Sequence, residues 1–335
     1  MGGYGSDYDY SDDDTVVKKS AASYNIDHGR KYETKGAVPP PLGKHLITEA
    51  KFPIVVAVDV TGSMKTWPKI IFEKLCILYN EALFFLPDAL KDSFEISFAA
   101  IGDAYSDSAP LQITDFAEGA ELDENIKALY PEGGGGGQTR ETYELLAYYY
   151  LKHCDMPNAL SHPKPLLIFV GDEGYYSKIN RRHILDLIGD DEKTDQIAKN
   201  IFEELLQKFN VYILRVRYDS KASNERIHND WVKVLGDNNV ILMKQPRRIV
   251  DTILGIIATA VDEWDKFKNR IEIRQTPEQV DEVYSTLSGL QVENKKYVYK
   301  FQALQCPKCG GALDVVPDYN KPVKCPFCQI LLVRI

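Results

Sequence analysis

Long apolar runs are missing from this chain of 335 residues. No stretch approaches the roughly 20 residues that a membrane span needs, and no charged-then-apolar leader opens the chain. The expectation is a protein without a membrane span, in a reducing, cytoplasmic setting. The first residues, Met1-Gly2-Gly3-Tyr4-Gly5-Ser6, fit the pattern for N-myristoylation, as do many glycine-rich starts. An excess of positive charge is missing too: 40 Lys and Arg stand against 49 Asp and Glu, and a net charge of −9 argues against a protein that coats nucleic acid. Histidine is scarce, six in all, and none is spaced with a Ser or Cys as a nucleophile and its base would be, so catalysis is not expected. Cysteine is equally scarce. Of six, four fall in two pairs near the C-terminus, and Cys76 and Cys154 stand alone within helical patterns, as small buried hydrophobes rather than a disulfide. The glycine run Gly133 to Gly137 lacks the Lys of a phosphate-cradling loop, because Gln138 stands in its place.

A hydrophobic content of 44% is enough for a sizeable core, and the length suits a domain of about 200 residues plus a small module and tails. Residues 1–45 are rich in Gly, Tyr, Ser and Asp and end near Pro39-Pro40-Pro41, which reads as a disordered acidic tail and a stiff linker. Strand and helix patterns then alternate from 50 to 265, as a doubly wound, mostly parallel α/β sheet requires. Ile54 to Val58 and Pro165 to Gly171 are continuous apolar strands, Phe94 to Ala100 alternates, and Val211–Val216 and Val240–Met243 supply two more. Helices are expected along Ile71, Leu75, Leu78, Ala82 and Phe85, over 140–153, over 194–209 through Ile197, Ile201, Leu205 and Phe209, and along Ile249 to Trp264. Residues 266–300 read as a helical linker. Within it Thr276-Pro277-Glu278-Gln279 has the form of a capping box, and Val280, Val283, Leu287 and Leu290 make one apolar, core-packing stripe.

Two places carry chemistry. Directly behind the first strand, Asp59-Val60-Thr61-Gly62-Ser63 delivers a carboxylate and two hydroxyls at alternate positions, a set of oxygen donors that suits Mg²⁺ or Mn²⁺ better than zinc. Near the C-terminus, Cys306-Pro307-Lys308-Cys309-Gly310-Gly311 and Cys325-Pro326-Phe327-Cys328 are two C-x-x-C knuckles separated by the fifteen residues 310–324. That is the spacing of a closed, structural four-thiolate Zn²⁺ site, a zinc ribbon over 301–335. Gly310-Gly311 permits the tight turn, and Ala312–Val316 and Ile330–Val333 could form the supporting hairpins. Residues 295–335 hold seven Lys or Arg and two Asp, so the module is basic on an acidic body, either a nucleic-acid or acidic-protein contact or simply a solvated surface.

The Asp59-Val60-Thr61-Gly62-Ser63 stretch resembles the metal-ion-dependent adhesion site of von Willebrand factor A (VWA) domains. The resemblance covers roughly residues 50 to 265 and implies two further ligands, Thr139 after the glycine run and Asp172 at the end of the second apolar strand. It implies direct coordination by Thr61 and Ser63, action through water for Asp59 and Asp172, a Thr139 that moves with ligand, and an open position that a partner's Asp or Glu fills. It also implies an antiparallel edge strand at Leu111–Phe116. A VWA domain joined to a terminal four-cysteine ribbon is similar to bacterial VWA proteins of tellurite-resistance and phosphorylation-signalling clusters. The expected function is a metal-dependent protein-interaction module. One alternative is a subunit of a repair-like or transcription-like nucleic-acid complex that uses the basic ribbon. Another is an accessory component of a ubiquitin-ligase-like system, although four cysteines cannot supply the eight ligands of a RING. Asp103 and Asp107, either outer-shell acids or turn residues, Glu173, and Tyr175-Tyr176 as a partner-contact surface complete the candidates near the rim, whereas Tyr148-Tyr149-Tyr150 reads as an aromatic run within a partly buried helix.

Overall fold

A computed structural model describes residues 36, 38–133, 139–290, 297–299, 305–306, 308–313 and 322–334. The N-terminal tail, the glycines 134–137 with Gln138, and 314–321 lie outside the described residues. The main sheet has six strands: β1 (Phe52–Asp59), β2 (Phe94–Ile101), β3 (Leu111–Ile113), β4 (Leu166–Gly171), β5 (Asn210–Arg215) and β6 (Val240–Leu242), in the order β6-β5-β4-β1-β2-β3. All neighbours are parallel except β3, which runs antiparallel to β2. Helices pack on both faces, so β1 and β4 are buried along their whole length and read as unbroken apolar runs rather than alternating ones. Within β1, side chains still alternate between two cores: Ile54, Val56 and Val58 enter one, and Val55 and Ala57 the other. Asp59 keeps the parity of Val55 and Ala57 and so ends the strand on their face.

On that face lie α4 (Tyr143–Lys152), α6 (Ala198–Lys208) and α7 (Lys221–Leu235); on the other lie α1 (Trp67–Leu75), α2 (Leu78–Leu83) and α8 (Ile249–Ala260), with α3 (Glu121–Ala128) and α5 (Arg181–Leu187) at the periphery. The tyrosine run of α4, expected to be partly buried, is buried throughout. Two of its C-terminal carbonyls are satisfied from outside the helix, because Lys208 Nζ donates to the backbone oxygens of Tyr150 and Leu151, and also to that of Cys154 just beyond the helix end.

Several expected elements differ in extent. The helix expected from Ile71 to Phe85 is two, broken at Cys76–Ile77, where Ile77 N bonds back to Lys74 O and tightens the turn while the same apolar face stays buried. The expected edge strand 111–116 pairs regularly only as β3, because the Thr114 hydroxyl takes the Phe98 N–H out of the ladder, although Thr114 N still donates to Phe98 O at 3.0 Å. Gln196–Ile197 pairs with Lys178–Ile179 instead of opening α6, which leaves Ile197 exposed rather than on the core stripe. The closing helix ends at Ala260. Asp262 takes a positive φ of 59°, and a second helix, α9 (Trp264–Arg274), turns back. Phe267 and Ile271 of α9 and Val280, Val283 and Leu287 of α10 (Pro277–Leu287) enter the same core as α8, and the Thr276–Gln279 capping box is formed. Cys76 is half-buried and donates to Glu73 O at 3.1 Å, and Cys154 is a fully buried thiol.

In the C-terminal module β7 (Tyr297–Tyr299), β9 (Leu331–Arg334) and β8 (Val323–Lys324) form a small sheet in that order, β9 parallel to β7 and antiparallel to β8. The hairpin expected at 312–316 reduces, among the described residues, to a single bridge between Ala312 and Gln305.

Candidate functional site

The carboxyl ends of β1 and β4 lie side by side, so the residue after each strand opens on the same rim, where open α/β sheets bind ligands. Four of the five residues of the oxygen set meet there in one continuous chain. Asp59, fully buried, accepts at Oδ1 from the Thr61 hydroxyl at 2.6 Å and the Thr61 backbone N–H at 3.0 Å. Thr61 Oγ1 lies 3.2 Å from Ser63 Oγ, and Ser63 Oγ donates to Asp172 Oδ1 at 2.9 Å. Thr139 is placed differently. Its carbonyl accepts from Gly174 N at 3.1 Å, which fixes its backbone beside the end of β4, but its hydroxyl accepts from the Arg226 guanidinium at 2.5 Å. Its φ of 26° is positive, which is uncommon for a β-branched residue and marks a constrained turn.

Three residues that sequence reasoning did not assign complete the rim. Tyr143, at the start of α4, donates its hydroxyl to Asp59 Oδ2 at 2.6 Å, so Asp59 is held at both oxygens. Gly171, the last residue of β4, makes room for that bond: a Cβ there would fall 1.8 Å from the Tyr143 hydroxyl. A lone glycine ending an otherwise apolar strand was the available signal for such a close approach. Arg215, fully buried at the end of β5 opposite Gly171, donates to Asn224 O and Oδ1 and places a positive charge that favours ionised Asp172.

The negative charge here is crowded. Burial, then the neighbouring Asp59, pushes the Asp172 carboxyl up to about 7. Burial, then Asp172 and Asp59, pushes Glu173 up to about 8, and burial with Asp59 and Glu173 pushes Glu141 up to about 11. Asp59 is raised above the ordinary carboxylate range by burial, against the hydrogen bonds from Thr61 and Tyr143. Among the described residues, Glu141 Oε2 and Glu173 Oε2 are buried and have no hydrogen-bond partner. An unpaired buried acceptor of this kind costs about 1–3 kcal/mol. Asp103 and Asp107 act as turn residues: Asp103 Oδ1 accepts from Tyr105 N at 3.0 Å, and Asp107 Oδ2 from Asp103 N at 2.7 Å. Asp103 also accepts from the Tyr176 hydroxyl at 3.2 Å, and Tyr176 lies against Tyr105, so an aromatic pair borders the acidic rim.

A second centre lies in the C-terminal module, where the sulfurs of Cys306, Cys309, Cys325 and Cys328 all fall within 4.8 Å of one another. Cys306 and Cys328 are 3.6 Å apart and Cys309 and Cys325 3.7 Å. A tetrahedron of thiolates with metal–sulfur bonds of about 2.3 Å has edges of about 3.8 Å, whereas a disulfide would need about 2.05 Å. The two knuckles share one backbone. Gly310 N bonds to Cys306 O and Gln329 N to Cys325 O, and Gly310 and Gln329 take positive φ of 71° and 60°. Burial raises the Cys325 thiol, but the backbone N–H groups of Cys328 and Phe327 and the neighbouring thiols outweigh it and bring it down to about 7. This cluster can hold a metal ion.

The described residues thus form a mostly parallel α/β sheet flanked by helices, with a C-terminal four-cysteine cluster able to bind metal. Among them no helix is long and apolar enough to cross a membrane. No protein-family model matches the chain, and neither does any curated protein. Among solved structures the chain is similar to the pilus adhesin SpaC from Lactobacillus rhamnosus GG in its open conformation, with 13% identity, a TM-score of 0.44, and coverage of 68% of this chain and 31% of the adhesin. It is also similar to proximal thread matrix protein 1 from the mussel byssus, with 10% identity, a TM-score of 0.42, and coverage of 64% of this chain and 48% of that one. The chain therefore spans less than half the length of either, and likenesses this distant carry no argument about what it does.

Proposed function

We propose that the chain is a metal-dependent protein-interaction module that holds Mg²⁺ or Mn²⁺ at the rim of the main sheet and recognises a carboxylate of a partner protein. The observation that carries this reading is the run of oxygens Asp59–Thr61–Ser63–Asp172, in which Thr61 donates to Asp59, Ser63 donates to Asp172 and the two hydroxyl oxygens face each other at 3.2 Å, beside two buried carboxylate oxygens, on Glu141 and Glu173, that have no partner among the described residues. A hard divalent cation fits that donor set, and its positive charge would offset the crowding that raises these carboxyls. Asp59, Thr61, Ser63 and Asp172 would hold the ion, with Thr139 joining them on release from Arg226. Bound there, the ion supplies residual positive charge and a place for one more oxygen, which suits an Asp or Glu from another protein. The chain's own part is positional: Tyr143 and the Thr61 backbone fix Asp59, and Ser63 fixes Asp172. The four cysteines would hold Zn²⁺ as a closed structural centre.

Titration calorimetry with Mg²⁺ tests the rim. The parent should bind one ion, and Asp59→Ala and Ser63→Ala should lose that binding while keeping the parent's circular dichroism. A pull-down with and without EDTA should recover a partner only with metal. Equal partner recovery in EDTA and in both variants would sink the reading.

A further inference from the structure

Beside the rim, a cleft of about 400 Å³ opens directly onto Ser63 and Asp172. Its remaining wall carries three cations, Lys65, Arg217 and Lys244, and one further acid, Asp219, together with Trp67 and Tyr218. Lys65 is positioned by a positive φ of 54° just after the 3₁₀ turn Gly62–Met64 that carries Ser63. Its ammonium pairs with Asp219 at 3.0 Å, but both side chains are largely exposed, and such a pair contributes little. A competing carboxylate can therefore displace Asp219 at small cost. Arg217 is exposed on the loop after β5, and Lys244, after β6, reaches across to Ser285 at 2.9 Å. Three cations on three separate loops thus surround the approach to an oxygen site that itself lies among acids. A ligand suited to both needs one carboxylate for the ion and further carboxylates for the surrounding cations.

The chain carries such a segment. Asp7, Asp9, Asp12, Asp13 and Asp14 place five carboxylates within eight positions, with Tyr8 and Tyr10 between them and no Lys or Arg before Lys18. The 21 residues between Asp14 and Gly36 can reach about 70 Å when extended, more than the roughly 45 Å across a globular domain of this size. Building on the metal-dependent reading of the rim, we infer that residues 7–14 of the same chain occupy this cleft, one Asp directed to the rim ion and the others to Lys65, Arg217 and Lys244. The tail then acts as a tethered competitor that an external acidic partner must displace. With an effective concentration of about 1 mM and an intrinsic Kd of about 0.1 mM, the tether would weaken a competing ligand about tenfold.

Zero-length carbodiimide cross-linking of the full chain, read by peptide mass spectrometry, tests the contact. Links should join Asp7–Asp14 to Lys65 and Lys244, rise several-fold with Mg²⁺, persist on tenfold dilution of the protein, and disappear when the five Asp are changed to Asn. Links to these lysines no more frequent than links to the distant, exposed Lys193 and Lys233 would overturn the inference. Links that vanish on dilution would also overturn it, by assigning the cleft to the tail of a second copy. Mg²⁺ binding measured on the same sample separates the two readings. Binding without the links overturns the tail and leaves the rim site; links without binding overturn the rim site and leave a tail held by the three cations alone. Deletion of residues 1–20 should in turn tighten binding of a synthetic peptide of residues 7–14 about tenfold, and an unchanged affinity would count against a tethered competitor.

Discussion

Tyr143→Phe removes one oxygen from the interior and tests whether the rim is built around Asp59. The ring itself is held independently of the hydroxyl, edge-on to Trp231 at 5.2 Å and to Phe169 at 5.7 Å, so Phe should keep the packing. What is lost is a 2.6 Å hydrogen bond to the Oδ2 of a fully buried carboxyl. A bond to a charged group contributes about 1.5–3 kcal/mol, and a buried acceptor left alone costs a comparable amount. Burial already raises Asp59, so part of the loss can be relieved by protonation, which places the expected destabilisation near 2 kcal/mol. For a domain of this size that is a fall in Tm of about 4–8 °C. Urea denaturation followed by tryptophan fluorescence gives the value, and an Asp59→Asn/Tyr143→Phe cycle gives the coupling between the two. Tyr148→Phe is the control, because its hydroxyl, on the same helix, bonds to Asp190 and Glu192 instead of Asp59. A loss below 0.5 kcal/mol for Tyr143→Phe, no greater than the control, with coupling near zero, would refute the reasoning.

Three further outcomes are expected. For an acid whose folded-state value is raised, the folded state holds more protons than the unfolded one between the two values; the metal-free protein should therefore lose stability as pH rises from about 4 to 8, by about 4 kcal/mol for Asp172 alone, and Mg²⁺ should raise Tm strongly at pH 8 and hardly at pH 5 by differential scanning calorimetry, whereas a pH-independent metal effect would contradict the crowding. Native mass spectrometry should find one zinc per chain, and Cys306→Ser or Cys325→Ser should release it and unfold the C-terminal module while the main thermal transition stays in place. Arg226→Ala should free the Thr139 hydroxyl and tighten Mg²⁺ binding several-fold by calorimetry, and weaker binding would show that Arg226 supports the site instead.

The sequence by itself determined the two signals that depend on local spacing. Apolar strands of five to seven residues alternating with amphipathic helices specify a parallel sheet covered on both faces, and Cys306, Cys309, Cys325 and Cys328 at knuckle spacing specify their own convergence, because a C-x-x-C turn brings its two sulfurs together without outside help. Asp59, Thr61 and Ser63 were legible for the same reason, all three lying within one turn of a strand end. Only the tertiary structure decided what meets them. Asp172 reaches Ser63 because β4 lies beside β1, a pairing of residues 109 positions apart. Tyr143 was hidden in a helix rich in tyrosine, and its role rests on Gly171, 28 residues later in the chain, leaving space for one hydroxyl. Local pattern also overran where long-range contacts intervene: Ile197 has the spacing of a core residue, yet pairing with Lys178 pulls it out of α6 to the surface. Periodicity records which face of an element is apolar, but which oxygen lies opposite which carboxylate is set by strand order and by the space a missing side chain leaves.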